Sequence, residues 1–162
     1  MKIGILSDSH DDMAAIAKAV ALFNAEGVVQ VLHAGDIVSP FTFEIFRDLQ
    51  APLGGVFGNN DGDRLLLRER SAGALHVQPH FVTLDTLRGV IVHEPPLVKS
   101  LARSGDFDLV IYGHTHMPDV HREGLTLVVN PGKAALLNKG RATAALLDTE
   151  TREARIVDLD GR

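Results

Sequence analysis

An α/β domain with two sheets and flanking helices is the fold class this sequence predicts, and two observations predict it. In the first half of the chain, short apolar runs alternate with stretches of helical period. In the second half, strand-like runs follow one another across turns that carry glycine. Strand, helix, strand, helix, strand, helix is the order of a parallel sheet built from βαβ units, and glycine-turned strand pairs suggest hairpins. At 162 residues, without an internal repeat, low-complexity tract or linker, the chain reads as one domain over residues 1–162. That length buries a core without disulfides or a structural metal.

KIGILSD (2–8) is a buried strand by its run of apolar, branched residues. The stretch after it sets Met13, Ile16, Ala17, Val20 and Phe23 at helical spacing, and Gly27 closes it as a C-cap glycine would. VVQVLHAGD (28–36) is a second strand. SPFTFEIFRDL offers Ser39 as N-cap and Pro40 at the first helical position, and runs on as a helix. PLGGVFGN (52–59) is a third strand, and DRLLLRERSA a short charged helix. HFVTLDTL, GVIVHE, DLVIYGH, DVHRE, LTLVVN, ATAALLDT and EARIVDL then read as strands, with hairpin turns at HREGLTL and NKGRA.

Composition removes several classes of function. The hydrophobic fraction of 45% and charged fraction of 23% are those of a globular protein. A net charge of −5 without a Lys/Arg cluster argues against non-specific nucleic-acid binding. With no cysteine there is no disulfide, thiol nucleophile or thiolate metal site, so any metal is held by His, Asp, Glu or Asn. MKIGILSDSH does not read as a signal peptide, and no run is long enough to span a bilayer, which points to a soluble, cytoplasmic protein with no membrane partner.

The residues that follow the strands carry the chemistry. Asp8 and His10 follow the first, Asp36 the second, and Asn59, Asn60 and Asp61 the third; GVIV ends in His93, and IYG in His114 and His116. In open α/β sheets, ligands bind outside the carboxyl ends of the strands. Taken singly, Asp8 could cap a helix, Gly35–Asp36 and GNND could be ordinary turns, and His93 could be structural. Five strand ends delivering carboxylate, imidazole and amide to one edge point instead to a metal site. In an extended segment residues i and i+2 point the same way, so a strand end could aim His114 and His116 side by side at neighbouring metal positions. His33 reads as a core or supporting residue, and His76, His80 and His121 as surface residues without a role.

In this order, SDSH, GD, GNND, a strand-final histidine and GHTH resemble the signature of the calcineurin-like metallophosphoesterases. The resemblance is closest to the small, single-domain prokaryotic phosphodiesterases of that superfamily and covers nearly the whole chain. NPGK (130–133) is similar to the Asn-Pro-Gly segment that often follows in these members. The resemblance implies a four-layer α/β/β/α sandwich of two mixed β-sheets flanked by helices. It implies two divalent ions, one held by Asp8, His10, Asp36 and His116 and the other by Asp36, Asn59, His93 and His114. Mn²⁺ is the ion expected first, and the mixed O and N donors also suit Ni²⁺, Fe²⁺, Co²⁺ or Zn²⁺. The implied reaction is hydrolysis of a small phosphodiester by a hydroxide bridging two ions about 3.5–4 Å apart, with Asp36, Asn59, Asn60 and Asp61 as the catalytic set.

Two positions depart from the family's pattern. Many members carry a histidine where this chain has Asn60, which cannot act as a general acid; substrates with good leaving groups are then favoured. HEPP (93–96) replaces the usual His-Gly, so that Glu94 either faces solvent or adds negative charge at the mouth of the site. The competing readings are a non-catalytic interaction module, resembling the small scaffold subunit of retromer, and a phosphomonoesterase. Small relatives often form homo-oligomers, a partner expectation resting on that analogy alone.

Overall fold

The computed structural model describes residues 1–136 and 140–161. Chain order is β1 (Lys2–Leu6), α1 (Met13–Glu26), β2 (Gln30–His33), α2 (Phe43–Phe46), β3 (Leu53–Val56), α3 (Arg64–Arg70) and β4 (Leu75–His76). There follow β5 (His80–Leu84), β6 (Leu87–Ile91), α4 (Val98–Arg103), β7 (Leu109–Ile111), β8 (Pro118–Glu123), β9 (Thr126–Pro131), β10 (Thr143–Asp148) and β11 (Glu153–Asp158).

Two mixed sheets result. The first has the order β11-β10-β1-β2-β3-β4, with β1 through β4 parallel and β10 antiparallel to both neighbours. The second runs β5-β6-β7-β9-β8, with β6, β7 and β9 parallel and the edge strands antiparallel. Alternation along each strand divides the apolar residues between layers. In β7, Leu109 and Ile111 enter the core between the sheets with Ile3, Ile5, Leu127 and Val129. Val110 faces the other way, with Val90, Val128 and Ala102 beneath α4. Ile16, Val20 and Phe23 of α1 join Phe43, Phe46 and Leu67 over the outer face of the first sheet. Each fully buried side chain of this kind is worth about 1.5–3 kcal/mol. The order of layers is therefore helices, sheet, sheet, helix, as the resemblance implied.

Several local expectations need correction. The Asp12 side chain caps α1 by accepting from Ala15 N, and Gly27 closes it at φ 64°. The buried stripe, however, is Ala15, Ile16, Ala19, Val20 and Phe23, with Ala17 outward. The helix expected from Ser39 is a 3₁₀ turn, Pro40–Thr42, followed by the single turn of α2. Ser39 makes no cap bond; its hydroxyl donates to Asp11 Oδ2 at 2.6 Å, so a tertiary partner wins over the local one. The second and third strands are shorter than 28–36 and 52–59, because their last residues leave the ladder to build loops. α4 went unforeseen behind Pro95–Pro96. The NKGRA hairpin fails because β9 and β10 lie in different sheets; the turn expected there falls partly on 137–139, outside the described residues. No described helix is long and apolar enough to cross a membrane.

Candidate metal centre

β1, β2 and β3 of the first sheet and β6 and β7 of the second release their chains at one edge, and the loops turn sharply there. Asp8, His10, Asp36, His114 and His116 have φ between 41° and 67°, in the left-handed region. Such backbone costs about 1–3 kcal/mol per residue and persists only where its surroundings over-determine it. Here they do. Asp8 N donates to Gly35 O (2.9 Å), His10 N to Asp36 O (3.1 Å) and Asp11 N to Ile37 O (3.3 Å), so the SDSH loop lies laddered along the loop after β2. Asp11 then accepts from Ser39 N (2.8 Å) and Ser39 Oγ. His114 N donates to Asp8 Oδ2 at 2.9 Å, which joins the second sheet to the first.

The GHTH segment corrects the extended-strand reading. β7 ends at Ile111, and Thr115 N donates back to Gly113 O at 2.8 Å in a tight turn. Both histidines are left-handed and part from each other: His116 Nε2 lies 3.2 Å from His10 Nε2, while His114 Nδ1 lies 3.3 Å from His93 Nε2. Glycine is required at 113, since a Cβ there would sit 2.0 Å from Ser7 Oγ and 2.8 Å from Asp8 Oδ2. Buried Asn130 braces the turn from below, donating to Gly113 O and Thr115 Oγ1, both at 3.0 Å.

All seven side chains singled out as ligands come together, in two groups that meet at Asp36. Asp8 Oδ1 is 3.2 Å from His116 Nε2 and 3.8 Å from His10 Nε2, and His10 Nε2 is 3.7 Å from Asp36 Oδ2. On the other side, His93 Nε2 is 3.4 Å from Asp36 Oδ2 and 2.9 Å from Asn59 Oδ1, which is 2.8 Å from His114 Nδ1. Ligand atoms of Asp8, His10 and His116, and those of Asp8, Asp36 and His93, lie within 4.8 Å of one another. Asp8 thus lies near both halves of the cluster, whereas the resemblance set it beside one ion.

A cation fits this arrangement. Asp8 Oδ1 is buried and accepts no hydrogen bond; a buried carboxylate oxygen left so is costly unless a positive centre answers it. His93 Nδ1 donates to Ala34 O at 2.8 Å, which leaves the Nε2 lone pair facing the cluster, the orientation ligating histidines need. Burial works to raise the Asp36 carboxyl, yet the neighbouring His93 imidazole and two hydrogen bonds from Asn60 hold it well below the usual carboxylate range. For His93, burial opposes protonation, but the Asp36 carboxylate and the Ala34 carbonyl outweigh it and the imidazole rises.

Asn60 and Asp61 serve this carboxylate. Asn60 N donates to Asp36 Oδ1 (2.8 Å) and Asn60 Nδ2 to Asp36 Oδ2 (2.7 Å). Asp61 is buried and accepts from three backbone amides, Asp36 (3.1 Å), Val38 (2.7 Å) and Gly58 (2.7 Å). Glu94 is exposed. His33 joins two ligand loops: Gly35 N donates to its Nδ1 (3.2 Å), so Nε2 carries the proton and donates to Ser9 Oγ (3.1 Å). Burial, with His93 nearby, pushes His33 down to about 3, and it is neutral. Sequence reasoning missed Asp11 and Gln78, which act through side chain to backbone bonds that no spacing reveals; for Asn130 the NPG segment was a signal.

This fold and this cluster place the chain in a class. It belongs to the calcineurin-like phosphoesterase superfamily, whose domain profile matches residues 1–152. Among relatives, a phosphodiesterase of Methanocaldococcus jannaschii is 38% identical over 166 residues, covering 99% of this chain and 100% of that one. A solved archaeal phosphodiesterase superposes with a TM-score of 0.92 at 38% identity, covering 98% of this chain and 99% of that one. The zinc complex of Vps29 from Entamoeba histolytica shares the fold at a TM-score of 0.67 and 17% identity, covering 98% and 99%.

Proposed function

We propose that the chain is a dinuclear metal-dependent phosphodiesterase acting on small phosphodiesters. One observation carries the reading: two groups of oxygen and nitrogen donors meet at Asp36, beside a buried Asp8 oxygen that accepts no hydrogen bond. Asp8, His10, Asp36 and His116 would hold one ion, and Asp36, Asn59, His93 and His114 the other, with Mn²⁺ the first to test. Ions held by these residues would supply a hydroxide near neutral pH and neutralise phosphoryl charge as it builds. The chain's own contribution is positional. Asn60 keeps both Asp36 oxygens directed, and Asp61 fixes the loops that carry Asp36 and Asn59. Asn60 is no general acid and cannot protonate a departing alkoxide, which favours aryl and other good leaving groups.

The experiment is hydrolysis of bis-p-nitrophenyl phosphate by metal-stripped protein, with Mn²⁺, Ni²⁺, Co²⁺, Zn²⁺ or Mg²⁺ added back. Turnover is expected to return with metal, to be lost in Asp36→Asn and His116→Ala, and to fall steeply with rising leaving-group pKa. Two bound ions with no turnover on any diester would favour the reading as a non-catalytic module on this fold, and a preference for monoesters the phosphomonoesterase.

A further inference from the structure

The main-chain N–H of His93 finds its acceptor on a side chain. His93 is wholly buried, so this donor needs a partner within the protein. β5 pairs antiparallel with β6, His80 opposite Ile91, and the same register carried two residues on sets Gln78 opposite His93. β5 begins only at His80, after Pro79, so no ladder reaches that far. The Gln78 side chain bridges the gap, its Oε1 accepting from His93 N at 2.6 Å and from Glu94 N at 3.3 Å. The segment that carries Gln78 is itself braced, for the rings of His76 and His80 stack at 3.9 Å with 7° between their planes.

We infer that Gln78 is a positioning residue for one half of the metal centre, the half built from His93, His114 and Asn59. The inference rests on the two-ion reading above. His93 is held at three points from three elements: its N by Gln78, its O by Gly113 N (3.1 Å), and its ring by the Ala34 carbonyl. A Cβ at Gly35 would fall 2.6 Å from His93 Nδ1, so the ring is seated flush against the loop after β2. With backbone and ring both fixed, Nε2 keeps its aim at Asn59 and Asp36. Among the described residues, the hydrogen bonds of Gln78 go to His93 and Glu94, so its loss acts on this half and leaves Asp8, His10 and His116 as they are.

The test is titration of metal-free protein with Co²⁺, followed by calorimetry and by the visible absorption of the bound ions. Wild type is expected to take up two ions. Gln78→Met, of similar reach but without the acceptor, should keep one ion at wild-type affinity and bind the other about 10–100-fold more weakly. Gln78→Glu restores an acceptor and should restore the second ion. Should Gln78→Met fail to fold by circular dichroism, Gln78→Asn, too short to reach His93 N, carries the same contrast. Equal weakening of both ions, no weakening of either, or Gln78→Met and Gln78→Glu behaving alike would each overturn the role of Gln78. A wild type that takes up fewer than two ions overturns the two-ion reading itself, a result legible without any variant.

Discussion

The inner and outer parts of the candidate metal centre are built by different means. Asp8, Asp36 and His93 are at most 1% exposed and are held by backbone amides and carbonyls from neighbouring loops. The side chains of His10 and His116 are 15% and 40% exposed and lie on left-handed turns at the solvent edge. The inner groups are therefore part of what makes the strand ends fit together, while the outer ones chiefly complete a donor set. Substitutions should separate the two, with large losses of stability inside and small ones outside.

The largest effect is expected at Asp61. Asp61→Ala strands three buried amides, those of Asp36, Val38 and Gly58, and should destabilise the protein by roughly 3 kcal/mol in urea unfolding. A loss under about 1 kcal/mol would mean that the inner part is not tied in this way. Tyr112 comes next, since it stands between the apolar layer under α4 and the GHTH turn and donates to Asp119 Oδ2 at 3.0 Å. Burial and the Asp119 carboxylate raise its hydroxyl to about 12, against about 10 in an unfolded chain. Its contribution is present in full below pH ~10 and is lost as pH rises through the folded value. Tyr112→Phe should cost about 1 kcal/mol at pH 8 and remove the fall in stability between about pH 10 and 12. Unfolding that still steepens in that window would assign the titration elsewhere.

The smallest effect belongs to the outer histidines. His10→Ala and His116→Ala should leave the stability of the metal-free protein within about 0.5 kcal/mol, since alanine inherits the left-handed backbone that each histidine already bears. A metal-free His116→Ala protein that unfolds as readily as Asp61→Ala would erase the distinction between inner and outer parts.

Much of this was legible in the sequence because it is local. A strand followed by Asp-x-His, Gly-Asp or Gly-Asn-Asn can be read from period and residue type, and so the residues that the fold gathers at one edge could be singled out as candidate ligands. α4 hid because six residues behind two prolines give period too little room. That His114 and His116 would face different ions was expected, but the left-handed turn that parts them was illegible because it depends on φ angles held by Asp8 and Asn130, residues distant in the chain. Ser39 was misread for the same reason: its hydroxyl could cap locally or reach Asp11, and only the packed loops decide.

The centre straddles a seam. His10 and Asp36 belong to the first sheet, His116 and His93 to the second, and their facing atoms are 3.2 Å and 3.4 Å apart. Sheets joined by apolar side chains can creep past one another in small shear steps, whereas coordination distances tolerate only about 0.2 Å. The interleaved leucines, isoleucines and valines of the inter-sheet core therefore act as the calliper that sets the span between donors. Alignment of the two layers and readiness of the centre become one mechanical quantity, set far from any residue that carries a lone pair.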